Sequence, residues 1–289
     1  MKTTKYLIAS LTLFIFMATT AKAENGVEGT LGADLVSQYI WRGTDCGSAA
    51  IQPTLGIAWK GLSLTAWGSV GITSADDTRE LDLTVGYSTG GFNVGVTDYW
   101  FSSGNEAAAG RYFLYKNSKT NHLFEGNVGY DFGPLSMQWY TLFAGNDYKA
   151  NGERAYSSYV ELSAPFKLAK CDWTATVGAV PYACSGIYGN ANGFAVTNVT
   201  LKATKAFNIQ DKVDLPIYVA LTANPKEQHM YLTFGIAIRP KCRSLTNYLV
   251  NPRGSSCERR ALLFLTEGVS ATEHTRKCLP SKRTTSVSM

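Results

Sequence analysis

The side chains of this sequence that could do chemistry are charged residues threaded singly between apolar ones. In Gly32 to Gly43, GADLVSQYIWRG, Asp34, Gln38 and Arg42 lie on one parity and Leu35, Tyr39 and Trp41 on the other. The same period of two sets Glu80 and Asp82 against Leu81 and Leu83, Glu125 against Phe124, Glu161 against Val160 and Leu162, and Lys202 against Leu201 and Ala203. Single charges spaced along one face of a strand make neither a nucleophile nor a metal cage. Enclosed in a hydrated lumen, they set the sign of the ions admitted. Carboxylates outnumber cations among them, so the expected preference is for cations.

Other chemistries find little support. Serine catalysis needs a histidine base with an orienting partner. The histidines are His122, His229 and His274, and no serine stands two residues along from His122 or His229 on the same face. A catalytic role, for example as a membrane-embedded lipid hydrolase, is therefore not expected. Cys46, Cys171, Cys184, Cys242, Cys257 and Cys278 show no CxxC spacing, and the first three form an odd set, so neither a zinc site nor a disulfide framework is implied. With no phosphate-binding glycine loop and no metal-ligand cluster, no cofactor and no metal is expected.

The elements that must position these charges are strands. From Val27 to Ile238 apolar residues recur on alternate positions in about twelve segments, an even number. The first is read as Val27 to Arg42, with Leu31, Leu35, Tyr39 and Trp41 on its apolar side, and the last as Gln228 to Ile238. The connections alternate in length. Lys60-Gly61, Thr89-Gly90-Gly91 and Gly133-Pro134 are tight, whereas 44–48, 102–121, 145–154 and 181–193 are long. Short turns at one end and long loops at the other are what a transmembrane up-and-down antiparallel β-barrel requires. Tyr39, Trp41, Trp59, Trp100, Phe132, Phe166 and Phe207 cluster near strand ends, as residues of the headgroup level do. A soluble sandwich would have to bury them in a core for which the pattern leaves no place. The first and twelfth strands are expected to pair, because an open edge in hydrocarbon leaves each backbone group unsatisfied at several kcal/mol.

The two ends of the sequence differ from the middle. Lys2 and Lys5 precede an apolar run from Tyr6 to Met17, and Ala21-Lys22-Ala23 precedes Glu24, so residues 1–23 read as a signal peptide cleaved after Ala23. The net charge of +5 is unevenly spread: residues 1–23 hold three lysines and no acid, and residues 239–289 hold ten Lys/Arg against three Glu, which leaves 24–238 at −5. The basic excess belongs to the ends, so it does not argue for nucleic-acid binding. Residues 239–289 lose the alternation. They read as a basic tail, either a periplasmic extension or the disordered product of read-through or a reading-frame change near Arg239.

GADLVSQYIWRG, followed by Gln52-Pro53-Thr54 and by Leu64-Thr65-Ala66-Trp67-Gly68-Ser69, resembles the opening of the TorF family of Gram-negative outer-membrane porins. The resemblance runs over about residues 24–238 and is densest in the first three strands. It implies an outer-membrane barrel and fixes no substrate.

The expected role is a porin-like channel for passive diffusion of small hydrophilic solutes, with a closed structural, ligand-binding or adhesion barrel as the alternative. Asp34, Asp82, Glu125 and Glu161 are expected to face the lumen within the wall, Arg42 and Glu80 near its outer rim, and Lys202 as an inner positive charge. Trp67, Tyr99, Tyr140, Tyr159 and Tyr218 share the inward parity, as an aromatic track or as filling. In the loop 102–121, Arg111, Tyr112, Tyr115 and Lys116 are candidates for a constriction folded into the lumen, or for an extension of the strands beyond the membrane. The expected partners are outer-membrane lipids and small solutes or ions.

Overall fold

The computed structural model describes residues 21–22, 26–73, 77–103, 108–116, 119–184, 187–188, 191–210 and 213–240. Apart from Ala21 and Lys22, the expected signal peptide lies outside the described residues; so does the expected tail, apart from Arg239 and Pro240.

Twelve long strands form the wall: β1 (Val27–Val36), β2 (Ala50–Trp59), β3 (Leu62–Gly71), β4 (Arg79–Thr89), β5 (Phe92–Phe101), β6 (His122–Asp131), β7 (Ser136–Gly145), β8 (Ser158–Leu168), β9 (Cys171–Val180), β10 (Ala195–Ile209), β11 (Val213–Asn224) and β12 (His229–Pro240). Each pairs antiparallel with its neighbour in sequence, and β12 returns to β1 through Gly235–Val36 to Ile238–Ala33. The wall is therefore a closed all-β barrel. The closing seam carries four residue pairs, against ten between β1 and β2. Ala21–Lys22 adds a two-residue strand against Gly29 and Glu28.

Alternation decides which face is which. Leu55, Leu64, Val85 and Leu232 point outward, each more than half exposed. Such a continuous apolar outer surface is stable against acyl chains and not against water. At the short-turn end the outer face carries Phe166 stacked on Trp173 at 6.0 Å and Tyr130 beside Phe132 at 4.7 Å, a girdle at one interface. The turns there are tight because the backbone allows it: Lys60 and Gly61 have φ of 49° and 87°, the two positive values a two-residue hairpin needs to match strand twist.

Two boundaries differ from the sequence reading. The last strand runs through Arg239 and Pro240, and Arg239 pairs with Asp34 across the seam, so position 239 belongs to the wall rather than to a tail. The first strand ends at Val36, six residues early. Ser37 closes the final rung by donating its N–H to the Phe234 carbonyl and accepting the Phe234 N–H on its hydroxyl. The chain then leaves the wall. Tyr39–Trp41 and Thr44–Gly47 form a separate two-stranded hairpin, and alternation persists through it because a hairpin also has two faces.

Candidate functional site

The hairpin turns at Arg42 and Gly43, whose φ values are 51° and 81°. Glycine is required at the second position. A Cβ there would lie 1.9 Å from the Thr197 carbonyl oxygen, besides meeting the left-handed backbone. With only hydrogen on its α-carbon, Gly43 rests against β10, and its carbonyl accepts from Asn224 Nδ2 of β11 at 3.0 Å. At its base, Asp45 holds the hairpin together, accepting from Gly47 N at 3.0 Å and from Gln38 Nε2 at 2.9 Å.

From this tip the Arg42 side chain reaches the opposite wall. Its Nη1 and Nη2 donate to Glu125 of β6 at 2.6 and 3.0 Å, a bidentate pair, and Nη1 also donates to the Tyr188 hydroxyl at 3.0 Å. The guanidinium lies over the rings of Tyr140 at 3.8 Å, Trp41 at 4.5 Å and Tyr159 at 4.8 Å. Glu125 takes a further bond from Tyr99 at 2.9 Å and one from Tyr188. Burial works against the Arg42 charge, but Glu125, with Tyr188 and Tyr99 adding to it, holds the group well above its ordinary value. Burial also pushes the Tyr188 phenol well up, with Glu125 adding and Arg42 opposing, so Tyr188 acts as a donor. Every strong donor and acceptor in the cluster is engaged, as a buried charge pair demands.

The second face of the hairpin meets the other side of the lumen. Tyr39 packs on Trp67 of β3 at 5.6 Å and donates to Glu80 of β4 at 3.4 Å, and Trp41 packs edge-on against Tyr99 of β5. Tyr39 and Trp41 are thus interior residues rather than headgroup-level ones. The hairpin spans the lumen from β3 to β11. On its loop side is a cavity of about 360 Å³ reaching Glu80, Asn121 and Asn146. On its turn side is one of about 290 Å³ reaching Glu161, Lys202 and Tyr218.

The remaining candidates stand as follows. Glu80 and Asp82 are buried beside each other on β4. Asp34 is held by Arg239, and Glu161 accepts from Tyr159 at 3.0 Å. The Lys202 ammonium lies 3.9 Å over the Tyr218 ring. Arg42 meets Glu125 inside the lumen, the two side chains 9% and 2% exposed.

Residues 111–116 of the loop after β5 lie against the outer face and not in the lumen, so Arg111, Tyr112, Tyr115 and Lys116 form no constriction. Trp100 pairs with His122 and with Leu81, and Asp98 with Leu83 and Phe124, so Trp100, Asp98, His122 and Phe124 are on the outer face. The loop folds over them. Tyr112 packs edge-on to Trp100 at 5.5 Å, and Tyr115 stacks on His122 at 4.3 Å, while Arg111 and Lys116 stay exposed. The physical cause is a polar pair on the outer face: His122 Nδ1 is 2.7 Å from Asp98 Oδ1, and Nε2 is 2.5 Å from the Tyr112 carbonyl oxygen. Polar groups in hydrocarbon need a cover, and the loop supplies it. Both ring nitrogens are engaged.

Sequence reasoning missed Tyr188 and the inward turn of the hairpin. Tyr188 lies in a long loop without periodicity and carries no signal. Among the cysteines, Cys46 lines the hairpin, and burial, then Glu80 and Asp45, push its thiol up to about 12, so it stays an unreactive thiol.

A family model matches residues 20–210, from ahead of β1 to the end of β10. The chain belongs to the Gcw_chp family, described as bacterial proteins of unknown function. No curated protein matches it. Among solved structures, the Gcw_chp chain is similar to a NanC porin in a rhombohedral crystal form, at 10% identity and a TM-score of 0.42 over 74% of this chain and 100% of that one. It is also similar to a chain from work on in-meso crystallization of membrane proteins, at 9% identity and a TM-score of 0.35 over 84% and 96% of the two chains. The closed register of the wall defines the fold of this Gcw_chp protein independently of either likeness.

Proposed function

We propose that the protein is a porin-like channel of the outer membrane, passing small hydrophilic solutes passively, with the hairpin after β1 as its constriction. One observation carries the reading: a lipid-facing barrel encloses a polar lumen with cavities of about 360 and 290 Å³ on the two sides of one inserted hairpin. The resemblance of the first three strands to TorF-type porins supports it. Export by way of a cleaved signal peptide fits the location.

The charges support a mild cation preference. Arg42 is cancelled by Glu125 and Arg239 by Asp34, which leaves Glu80, Asp82 and Glu161 against Lys202 among the lumen candidates. A planar-bilayer measurement with a salt gradient tests both parts. Ion steps with a cation-selective reversal potential are expected, and E80Q/D82N should move that potential toward zero. Absence of steps in the wild type and in a variant lacking residues 38–48 refutes the channel and favours the second reading, a closed ligand-binding barrel. That alternative draws on the completeness of the Arg42 cluster, which is bonded as a plug would be.

A further inference from the structure

We propose that the chamber on the turn side of the hairpin is a binding station for neutral, hydroxyl-rich solutes of monosaccharide size, a proposal that rests on the channel reading above. Its volume of about 290 Å³ is at the lower end of the range of pockets that take small molecules, about 300–1,000 Å³. The wall of this chamber has an order that the sequence pattern does not announce. Ser163, Thr176, Thr200 and Thr222 are register partners on four successive strands, β8 to β11, so their hydroxyls form a row around the lumen. Neighbours along it are bonded, Ser163 to Thr176 at 2.9 Å and Thr200 to Thr222 at 2.8 Å. Adjacent rungs are one strand spacing apart, about 4.8 Å. Thr176, Thr200 and Thr222 line the chamber together with Gln52, Asn198 and Thr233.

A hydroxyl is donor and acceptor at once and turns to suit its partner. A row of them can exchange its internal bonds for bonds to a solute that is itself a set of hydroxyls, at little net cost. To a bare ion the row offers only partial charges, spaced one strand apart and not gathered around a point, so it offsets little of the cost of removing the ion's water. The charges of the chamber do not offer one sign in excess. Arg42 is spent on Glu125; Glu161 already accepts from Tyr159 and, at 3.4 Å, from Ser163; and the Lys202 ammonium rests on the Tyr218 ring. Glu161 and Lys202 remain as one charge of each sign. The chamber is thus neutral overall and dense in hydroxyl and amide groups, which favours polyols over ions and over solutes without hydroxyls.

The test is saturation-transfer NMR on the full chain in detergent micelles, with D-glucose and triethylene glycol dimethyl ether, which has no hydroxyl, as probes, on the wild type and on T200V/T222V. The valines keep the side-chain shape and remove two hydroxyls, and heat-modifiable gel migration checks that the barrel is intact. The expected result is saturation of glucose and not of triethylene glycol dimethyl ether by the wild type, with glucose binding roughly five- to thirtyfold weaker in the variant. Equal saturation of the two probes, or glucose binding unchanged by T200V/T222V, overturns the proposal. If the bilayer recordings of the same preparations still show ion steps, the channel reading survives that failure. If the wild type and the hairpin-deleted protein show no steps, the channel reading falls and this proposal falls with it.

Discussion

Replacing Arg42 with alanine should convert the constriction into an open passage, and the size of the effect follows from the cluster. Glu125 is 2% exposed and accepts two bonds from the guanidinium, so R42A leaves a buried carboxylate without its counter-charge. Breaking a buried pair from one side costs about 3–5 kcal/mol. The lower figure is the better guide here, because water enters the lumen as the hairpin leaves. Loss of the guanidinium from the faces of Tyr140 and Trp41 adds about 0.5–2 kcal/mol. At 1.4 kcal/mol for each factor of ten, the seated hairpin loses at least about a hundredfold in population relative to the displaced one. Single-channel recording in planar bilayers should show larger steps for R42A, occupied for most of the record. E125Q should act in the same direction, and R42A/E125Q should recover part of what R42A loses, since no buried carboxylate is then left without a counter-charge. Conductance and open fraction unchanged in both single variants, with heat-modifiable migration intact, would refute the role of the hairpin.

Other positions give independent outcomes. G43A places a methyl group 1.9 Å from the Thr197 carbonyl oxygen and should unseat the hairpin without altering any charge, seen as R42A-like steps in the same recordings. H122A removes the bond to the Tyr112 carbonyl and the ring under Tyr115 that fasten the loop after β5, together about 1.5 kcal/mol, so trypsin cleavage after Arg111 or Lys116 should quicken by about tenfold. R239Q loosens a half-exposed pair at the four-rung seam; a cost of about 1 kcal/mol should lower the temperature of the heat-modified gel transition by about 2–4 °C. The same substitution made at Lys167, whose partner Asp172 is exposed at the start of β9, should leave that temperature unchanged.

Much of the wall was legible because period two is an unambiguous signal when one side is lipid and the other water. The strand count, the turn ends and the inward parity of Glu125, Tyr99, Tyr140 and Tyr159 follow from it directly. The constriction was not legible, for a reason within the same signal. Tyr39, Trp41 and Arg42 continue the alternation of β1, and a hairpin inside the lumen shows the same pattern as a strand in the wall. The residues that separate the two cases are local: Ser37-Gln38, where the rung is closed by a side chain, and Arg42-Gly43, where the second position has to be glycine. Trp41-Arg42-Gly43 marks a hairpin tip as readily as a strand end.

The outer-face polar pair carries a sharper lesson about parity. Asp98 follows Phe92, Val94 and Val96 on the lipid side of β5, and His122 shares that side on β6. A polar residue on the wrong parity has two explanations, an error of register or a cover. Register is excluded by Tyr99 and Thr97, whose inward positions are fixed by bonds to Glu125 and Thr84. The cover must then come from a connection long enough to fold back, and the one joining β5 to β6 is the obvious source because its ends are the two strands that carry the pair. Its aromatic content has the same origin: Tyr112 and Tyr115 present rings to lipid while the Tyr112 carbonyl accepts from His122. If the pair is what recruits the loop, replacing it with an apolar pair, D98V/H122L, should free the loop to trypsin yet leave the barrel as stable as before, since nothing polar then needs shielding. A loop that stayed protected in D98V/H122L would mean that the tyrosines hold it by packing alone.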